Sequence, residues 1–518
     1  MKELEAYTIQ HDDIKSIDLM ETAAMKVAEF IFYNYINHDT PIIIYSGPGN
    51  NGGDGLALAR LLSKSNYTNI KAYLFNTNNS LSEDCKQNAE RLKVECPKVS
   101  FTEIQQQFEA PEMSNETLII DALFGTGINK PLGGGYAALV KFINASPAQV
   151  ISIDMPSGLM CEDNTYNSPS AIVRATYTLT LGLPKLALIL PDNQQYVGEA
   201  FVLDIGLCSE KLDDMTIPYQ ITSKRHVAQL LRERPAYGHK GTFGNALLIA
   251  GKYGMAGAAL LAAKACLRTG VGKVTVHSPI KNNDILQIGV PEAVLHHDEN
   301  ETIFTTPERT DDYQAIAIGP GIGTDKRTAL AFIEQASHAD IPMLIDADGI
   351  NILGGHKGWI SQIPANTIFT PHAKEMQRLG ICNTDSYSTL LEAINMAKQH
   401  KFYICLKGHY TAICTPNGEV YFNPSGNSGI ATAGSGDVLT GIILALLAQQ
   451  YKEFDACLLG TYLHGLAGDI AAKDLGEHAV TATDIIQYLP QAFKQILEEK
   501  AALKSEEAYH TSNDIFSL

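Results

Sequence analysis

Short apolar runs alternate with amphipathic stretches along the whole chain. A short apolar run bounded by Gly, Pro, Asn or Asp is typical of a buried strand, and apolar positions three or four residues apart are typical of a helix. The pattern predicts strands at residues 41–45, 70–75, 118–121, 150–154, 246–250, 274–277, 315–318, 343–346, 367–369 and 402–406, with further short strands and turns within residues 171–204. It predicts helices at residues 14–35, 56–62, 223–232, 258–267 and 438–447, and a hairpin of short strands at residues 411–414 and 420–422.

The alternation of strands and helices predicts two α/β domains, each built on a mostly parallel, doubly wound sheet. A polar stretch between the two groups of strands marks their boundary. We therefore expect one domain over residues 1–215, a second over residues 216–500, and a loosely held polar tail over residues 501–518. The Ala-rich helices expected at residues 438–447 and 456–473 have small faces that suit close packing or subunit contact, so a homo-oligomer is expected.

The composition restricts the possible classes of function. The 518 residues carry a formal net charge of −18, which argues against a nucleic-acid binder because a phosphate backbone needs clustered Lys and Arg. The nine Cys include no C-x-x-C pair, so neither a disulfide framework nor a cysteine metal site is expected. No apolar run reaches membrane-spanning length and the first residues contain no apolar signal core, so we expect a cytoplasmic protein without a membrane partner.

Three polar or Gly-rich stretches follow predicted strands in the first half: GPGNNGGDG at residues 47–55, DALFGTG at residues 121–127 and DMPSG at residues 154–158. Ligands bind at the carboxyl ends of the strands in such sheets. A Gly-rich turn before a helix suits a pyrophosphate or polar ligand, and the Asn and Asp oxygens also suit a hard cation. Each Asp alone is more often a cap or turn residue. Because the three stretches are expected to converge, we interpret them as one binding site.

In the second half, the stretch IATAGSGDVLTG at residues 430–441 places small residues directly before an apolar helix. Free backbone N–H groups at a helix N-terminus bind phosphate or other anions. Asp437 lies at that positive end, which is expected to favour its ionised form, so that it can accept a proton from a hydroxyl group. The alternative interpretation is that Gly-Ser-Gly-Asp only caps the helix.

Other loops of the second half also follow predicted strands. Residues 319–323 (GPGIG) expose backbone, and residues 346–349 (DADG) offer two carboxylates that suit magnesium held through water or a helix cap. His372 and Glu375 lie one helical turn apart, which is usually a capping pair. Residues 407–411 (KGHYT) supply a lysine charge beside a glycine. The Ala-rich helix at residues 258–267 is expected to pack tightly under a sheet, with a ligand approaching Ala258 as the alternative.

The GxGD loop resembles that of the ribokinase-like superfamily, in which the Asp activates a hydroxyl group towards a nucleotide phosphate. The second half is most similar there to the ADP/ATP-dependent NAD(P)H-hydrate dehydratases, whose HKGTFG, PHxxE and KGxxT motifs recur at residues 239–244, 371–375 and 407–411. The resemblance implies Asp437 as the catalytic base, Mg²⁺ as a cofactor, and ADP, with ATP as the alternative, as co-substrate. It implies substrate contacts at Ala258, Gly321, Gly323, His372 and Asp437, and nucleotide contacts at Lys407, Gly408, His409, Tyr410, Thr411, Gly434, Ser435 and Gly436.

The trio NNGGDG, DALFGTG and DMPSG resembles the NAD(P)H-hydrate epimerase domain. The resemblance implies a potassium ion at Asn51, Asp121 and Ser157. It implies substrate contacts at Asn50, Asn51, Gly52, Gly53, Asp54, Gly125, Thr126, Gly127, Ile128, Asn129, Lys130, Pro131 and Asp154. Inverting a carbon that bears a hydroxyl group and a ring nitrogen requires acid–base chemistry, and Asp154 is the candidate. Lys130 is either an electrostatic aid or a solvated loop lysine.

Together the two halves resemble the bifunctional NAD(P)H-hydrate repair enzymes. That family exchanges the R and S epimers of hydrated NADH and NADPH, called NADHX and NADPHX, and dehydrates the S epimer. One alternative is a small-molecule kinase of the ribokinase-like superfamily with an unrelated N-terminal domain. Another is a ligand-binding scaffold. Loss of Asp437 or of the Gly-rich loops would favour that alternative, and both are present. The front-half motifs discriminate against the kinase, because the kinases of that superfamily do not carry them.

Overall fold

The computed structural model describes residues 1–215, 217–380 and 385–515. The chain divides into two compact units, Met1–Thr216 and Ile217–Leu518. The boundary expected from the sequence falls after residue 215. Each unit has its own β-sheet with helices packed against it, so the predicted fold class of two α/β domains is confirmed.

The first unit contains seven strands that form one parallel sheet in the order β3-β2-β1-β4-β5-β6-β7. The strands are β1 Ile42–Ser46, β2 Ile70–Phe75, β3 Ser100–Ile104, β4 Leu118–Ala122, β5 Gln149–Ile153, β6 Tyr177–Leu181 and β7 Glu199–Leu203. The helices are α1 Lys2–His11, α2 Ser16–Asn34, α3 Asn50–Lys64, α4 Glu83–Glu95, α5 Gly134–Ala145, α6 Leu186–Ile189, α7 Gln194–Val197 and α8 Ser209–Asp214, with 3-10 turns at Pro169–Ala171 and Pro191–Asn193.

Both faces of this sheet are buried. Ile42 and Ile44 of β1 join the core formed with α2, α3 and α4, whereas Ile43 and Tyr45 join the core formed with α5. The chain runs outward from β1 through β2 to β3, then returns to start again at β4 beside β1. Such a reversal of strand order opens a crevice at the carboxyl ends of the two central strands. The three polar stretches predicted to converge all follow strands at or beside this point.

Helix α3 begins at Asn50, so the expected helix start at residue 56 is wrong. The NNGGDG motif is helical rather than a turn, and its glycines serve packing. A Cβ on Gly52 would lie 1.8 Å from the Gly47 carbonyl oxygen, and one on Gly55 would lie 2.6 Å from the Ala122 Cβ. The motif therefore lets the helix N-terminus approach the ends of β1 and β4 more closely than any side chain allows.

The second unit contains a ten-stranded sheet in the order β11-β10-β9-β12-β13-β14-β15-β16-β17-β8. The strands are β8 Tyr219–Ile221, β9 Asn245–Ile249, β10 Lys273–Pro279, β11 Val294–Asp298, β12 Ala315–Ile318, β13 Met343–Ile345, β14 Ile368–Phe369, β15 Tyr403–Leu406, β16 Thr411–Cys414 and β17 Val420–Asn423. Neighbouring strands from β11 to β15 are parallel, and β15, β16 and β17 are antiparallel. The predicted hairpin is therefore present.

The helices of the second unit are α9 Lys224–Leu230, α10 Ala256–Arg268, α11 Asn283–Gly289, α12 Lys326–Ser337, α13 Asp348–Gly355, α14 Ala373–Arg378, α15 Ser386–His400, α16 Ser435–Ala448, α17 Glu453–Leu475 and α18 Ala482–Ile515. Short 3-10 segments lie at Ile280–Asn282, Lys357–Gln362, Ser428–Ile430 and Glu477–Ala479. In the described part of the chain, no helix is long and apolar enough to cross a membrane.

Helix α10 packs against α16, in addition to the sheet under which it was expected. A Cβ on Gly441 would lie 2.1 Å from the Ala262 carbonyl oxygen, so the glycine allows the two backbones to touch. This contact holds α16, which carries the GSGD motif in its first turn, in position against α10. Helix α18 continues beyond residue 500 to Ile515, because Leu503 is buried in the core and Lys500 Nζ donates to the Leu231 carbonyl oxygen. The expectation of a loose tail from residue 501 is therefore wrong at Leu503, and the helical backbone continues to Ile515. Residues 516–518 lie outside the described residues.

Candidate functional sites

The first unit contains a cavity of about 620 Å³ at the carboxyl ends of its central strands. Seven predicted substrate residues line it: Asn50, Asn51, Asp54, Gly125, Thr126, Gly127 and Asp154. Gly52 and Gly53 lie in the buried packing of α3, and the loop of Ile128, Asn129, Lys130 and Pro131 continues outside the lining. Lys130 is exposed, which agrees with the solvated alternative. Helix α1 contributes Met1, Lys2, Glu5, Ala6 and Ile9 to the wall, which the sequence did not indicate.

Asp121 and Ser157 form a buried hydrogen-bonded pair behind Phe124, which lines this cavity. The Asp121 carboxylate accepts from Ser157 Oγ at 2.6 Å, from Ser157 N at 2.8 Å and from Ser152 Oγ at 2.8 Å. Burial raises the pKa of Asp121, and the donors from Ser157, Ser152 and Leu123 oppose that rise. Ser157 Oγ in turn accepts from Phe124 N at 2.9 Å. The pair thus holds the start of the FGTG loop against the end of β5.

Asn51 approaches the same loop, since a Cβ on Gly125 would lie 3.3 Å from Asn51 Oδ1. Both polar atoms of the Asn51 side chain are buried and lack hydrogen-bond partners among the described residues. Leaving a buried polar group unsatisfied costs about 1–3 kcal/mol. A cation bound to Oδ1 would remove the part of that cost that belongs to the oxygen, so the donor set of Asn51, Asp121 and Ser157 fits a hard ion such as potassium.

Asp154 is held in a strained conformation at the end of β5, with a φ of +67°. Its Oδ1 accepts from Lys185 Nζ at 2.5 Å, and its Oδ2 accepts from Thr126 N at 3.2 Å. Lys185 also donates to Thr180 Oγ1 and to the Leu181 carbonyl oxygen, both at 2.9 Å. Sequence reasoning missed Lys185, although a lysine in the apolar segment LGLPK at residues 181–185 was a usable signal.

In the second unit, Asp437 lies in the first turn of α16. The helix begins directly after Gly434, whose φ is +87°. Burial, followed by the charge of Asp346, raises the pKa of Asp437 to about 7, although Lys407 opposes the shift. The net shift is thus opposite to the direction in which a helix N-terminus acts, because burial and the neighbouring carboxylates disfavour the ionised form. A carboxyl group with this pKa is well matched to proton transfer near neutral pH.

Asp346 lies buried beside Asp437 and connects two other residues of this site through hydrogen bonds. It is almost fully buried, and it accepts from Lys407 Nζ at 2.9 Å and from Thr440 Oγ1 at 2.7 Å. Burial lowers the pKa of Lys407. The negative charges of Asp346, Glu375 and Asp437 raise it by more, so the pKa lies above its ordinary value. A Cβ on Gly436 would lie 3.3 Å from Lys407 Nζ. The lysine predicted for the nucleotide therefore lies beside the GSGD loop.

The remaining predicted loops lie along the same strand ends. His372 N-caps α14 through Nδ1, which accepts from the backbone N–H groups of Lys374 and Glu375, as in the capping interpretation. Its side chain is 48% exposed, so it remains accessible to a ligand. His372 forms a parallel bridge with Lys407, which brings the PHxxE and KGxxT loops side by side. Gly408 and His409 are exposed, and the His409 and Tyr410 rings pack edge to face.

Ala258, Gly321 and Gly323 also come together. A Cβ on Gly321 would lie 3.1 Å from Ala258 Cβ, and Gly323 N donates to Asp348 Oδ2 at 2.8 Å. Gly321 and Gly323 have φ of +61° and +78°, a region that favours glycine. Asp348 adds to the negative charge acting on Asp437. Asp346, Asp348 and Asp437 thus concentrate charge that fits a divalent cation held together with phosphate groups.

A histidine that the sequence did not single out supports the anion-binding loop. His464 Nε2 of α17 lies 3.0 Å from the Ser435 carbonyl oxygen and 3.1 Å from Ser435 Oγ. Because a carbonyl oxygen only accepts, Nε2 carries the proton, which leaves the Ser435 hydroxyl hydrogen free to donate elsewhere. Burial lowers the pKa of His464 to about 4, so its ring is neutral at physiological pH.

Within residues 1–215, 217–380 and 385–515, no group of three or more His, Cys, Asp or Glu side chains has the arrangement of a metal site. A cation in either unit would therefore also depend on hydroxyl, amide or carbonyl oxygens, or on the oxygens of a bound ligand.

Comparison with known proteins matches a different family model in each half. A model described as NAD(P)H-hydrate dehydratase matches residues 246–491, and one described as YjeF-related protein N-terminus matches residues 16–187. The chain is 34% identical to the bifunctional NAD(P)H-hydrate repair enzyme of Moorella thermoacetica over 501 residues, covering 94% of both chains. It is 35% identical to that of Thermofilum pendens over 497 residues, covering 94% of this chain and 93% of that one.

Among solved structures, the chain is similar to the ADP/ATP-dependent NAD(P)H-hydrate dehydratase from Bacillus subtilis that was co-crystallised with ATP and Mg²⁺. The identity is 30%, the TM-score is 0.47, and the match covers 54% of this chain and all of that one. The full-length relatives and the two family models support the expected combination of activities, and they do not support a kinase with an unrelated N-terminal domain.

Proposed function

This chain belongs to the family of bifunctional NAD(P)H-hydrate repair enzymes, and on that premise we propose that its two units carry the two steps of one repair reaction. The first unit exchanges the R and S epimers of NADHX and NADPHX. The second unit dehydrates the S epimer to NADH or NADPH with ADP as co-substrate, and ATP is the alternative nucleotide. The observation that carries the proposal is the pairing of two separate sites, the cavity at Asp154 and the loop at Asp437, in one chain.

In the first unit, the hydrated nicotinamide ring occupies the cavity between the FGTG loop and Asp154. Asn51, Asp121 and Ser157 would hold a potassium ion, which would supply fixed positive charge beside the polar groups of the substrate. The unpartnered Oδ1 of Asn51 and the fully buried Asp121 support this assignment. Asp154, oriented by Lys185 and Thr126 N, exchanges a proton with the substrate.

In the second unit, Asp437 takes the proton of the ring hydroxyl group while that oxygen attacks the terminal phosphorus of the nucleotide. The bond from that phosphorus to its bridging oxygen breaks, and the shortened nucleotide, AMP where the co-substrate is ADP, leaves with the electron pair. The hydroxyl oxygen leaves with the phosphoryl group as phosphate, and loss of a ring proton restores the dihydronicotinamide. Backbone amides of residues 434–436 and the Lys407 ammonium stabilise the charge that develops on the transferred group. Magnesium, when bound near Asp346 and Asp348, supplies further positive charge to the phosphates.

The direct test is an assay of the purified chain with a mixture of R and S NADHX. Addition of ADP and Mg²⁺ should restore the absorbance of NADH and release phosphate, one for each NADH formed. Without nucleotide, the chain should still accelerate exchange between the epimers. Phosphorylation of a vitamin or sugar alcohol without any action on NADHX would instead establish the kinase alternative.

A further inference from the structure

Two buried carboxyl groups, Asp54 and Asp154, face the cavity of the first unit, and only Asp154 forms an ion pair with the Lys185 ammonium group. Lys185 gives one proton to Asp154 Oδ1 and the other two to Thr180 Oγ1 and the Leu181 carbonyl oxygen. It therefore has none left for the second carboxyl group, that of Asp54, which is only 7% exposed. Among the described residues, no group donates a hydrogen bond to the Asp54 carboxyl, which opens towards the cavity.

The charges with the largest effect on Asp54 are those of three carboxyl groups, Asp154 after β5, Glu5 of α1 and Asp84 of α4. The Cys85 thiol of α4 also faces it, and the cavity lining adds the Met1 amino group, Lys2 and Lys185. Burial, followed by the charges of Asp154, Glu5 and Asp84, raises the pKa of Asp54 well above its ordinary value. A buried carboxyl group without a cationic partner holds its proton, whereas one paired with an ammonium group stays ionised. Lys185 thus gives Asp154 an ammonium partner that Asp54 lacks, and both carboxyl groups face the same cavity.

We propose that Asp54 and Asp154 act as an acid–base pair in epimerisation, with Asp54 as the proton donor and Asp154 as the proton acceptor, and that Lys185 is the residue that positions Asp154. The inference deepens the epimerase activity proposed above and rests on it. Two groups on one ligand, held in opposite protonation states by their surroundings, are the arrangement that acid–base catalysis requires.

The epimerised carbon bears a hydroxyl group and is bonded to the ring nitrogen. Asp154 takes the hydroxyl proton, the C–N bond breaks with its electron pair moving to nitrogen, and Asp54 protonates that nitrogen. The product is an open-chain aldehyde with an enamine N–H group. Rotation about the adjacent bond turns the other face of the aldehyde towards nitrogen.

Ring closure reverses these proton transfers. The Asp54 carboxylate takes back the N–H proton, the nitrogen electron pair forms the C–N bond on the new face, and Asp154 returns its proton to oxygen. The configuration is inverted, both carboxyl groups regain their starting states, and no oxidant or further reactant is consumed.

The test is the pH dependence of R-to-S exchange by the full-length chain without nucleotide, so that dehydration does not contribute. The wild-type rate should rise and then fall with pH, because the acceptor must be ionised and the donor protonated. Asp54→Asn should lower the rate by about 100-fold or more and abolish the alkaline fall, since loss of one general acid or base typically costs that much. Asp154→Asn should cause a similar loss and abolish the acid limb.

A matched control is Asp84→Asn, which removes one of the negative charges facing Asp54 and is not part of the cavity lining. It should keep the maximal rate and move the alkaline limb to lower pH, because Asp54 would release its proton more easily. Lys185→Met should move the acid limb to higher pH, and Lys185→Arg should partly restore its position. These shifts remain measurable even if one of the Asp variants does not fold.

Three results would overturn the assignment. An Asp54→Asn variant that keeps a rate within about threefold of wild type and the same alkaline limb would remove Asp54 from the proton path, because the loss expected of a general acid is far larger. If the pH–rate profiles of Asp84→Asn and Lys185→Met are identical to that of wild type, the neighbouring charges do not control the protonation of Asp54 and Asp154. Uptake of one oxygen-18 from labelled water at every inversion would show that the C–O bond breaks instead. A wild-type chain that does not exceed the uncatalysed exchange rate would contradict the epimerase proposal itself, which is a separate result.

Discussion

Asp437→Asn should abolish dehydration while preserving the shape of the second site. Asparagine has nearly the same size and hydrogen-bonding reach as aspartate, so α16 and the loop containing Gly434 should keep their positions. The amide nitrogen cannot accept the proton of the ring hydroxyl group. Loss of a general base typically costs about 100- to 10,000-fold in rate, so the dehydratase rate should fall by that factor.

The pKa of about 7 adds a dependence on pH. The ionised fraction of a group with that pKa rises from about one tenth at pH 6 to about nine tenths at pH 8, so wild-type activity limited by this base should increase roughly tenfold over the range. The increase should flatten above neutral pH. The residual activity of Asp437→Asn should lack this rise, because the titrating carboxyl group is gone.

The assay follows recovery of NADH absorbance from S-NADHX with saturating ADP and Mg²⁺ at several pH values. A parallel equilibrium titration with ADP serves as the control, and it should give nearly unchanged nucleotide affinity. A variant that dehydrates within about threefold of wild type would remove Asp437 from the mechanism, since general-base loss is much larger. A variant that no longer binds ADP would show that the loop itself was damaged.

Three further substitutions test other parts of the account. Asp121→Ala should slow epimer exchange and remove its response to added K⁺ while dehydration of S-NADHX stays intact; an unchanged exchange rate would contradict the cation site. Gly441→Ala should lower the melting temperature of the second unit, because its Cβ would meet backbone at 2.1 Å, whereas Gly358→Ala, with no atom within 4 Å of its Cβ, should not. His464→Leu should weaken ADP binding about five- to tenfold, the worth of one hydrogen bond, with His464→Gln restoring it; equal affinities in both would contradict its support of Ser435.

Much of the fold was predictable because most strands are buried on both faces and therefore form continuous apolar runs. Strands β1, β4 and β12 are buried throughout. Strands β3, β8 and β11 were missed because they lie at sheet edges, where β3 and β11 each bury only one of five residues and β8 buries none of three. An edge strand lacks the apolar run that identifies a central one.

The start of α3 was missed because glycine and asparagine disfavour helix and normally indicate a turn. Here the glycines are required by tertiary packing, since Gly52 and Gly55 allow the helix to contact the ends of β1 and β4. The same reasoning could not reveal that Gly441 allows α16 to contact α10 closely. Propensity describes a segment alone, and these contacts join segments that are distant in sequence.

The location of each candidate site was predictable, but its electrostatics were not. The motifs identified Asp437 and Asp154 because short patterns mark the ends of strands. The raised pKa of Asp437 depends first on its burial and then on the charge of Asp346, which lies far away in the sequence. The Lys185–Asp154 ion pair likewise joins residues 31 positions apart, and only the parallel arrangement of β5 and β6 brings them together.

The central claim is that one chain carries two independent active sites, and the amount of NADH formed from a mixture of R and S NADHX with excess ADP tests it most directly. Wild type should convert both epimers completely. Asp437→Asn should convert neither and should still exchange them, whereas Asp154→Asn should convert the S fraction at the wild-type rate and the R fraction only as fast as uncatalysed exchange permits. Complete conversion by Asp154→Asn at the wild-type rate, or loss of exchange in Asp437→Asn, would contradict the account.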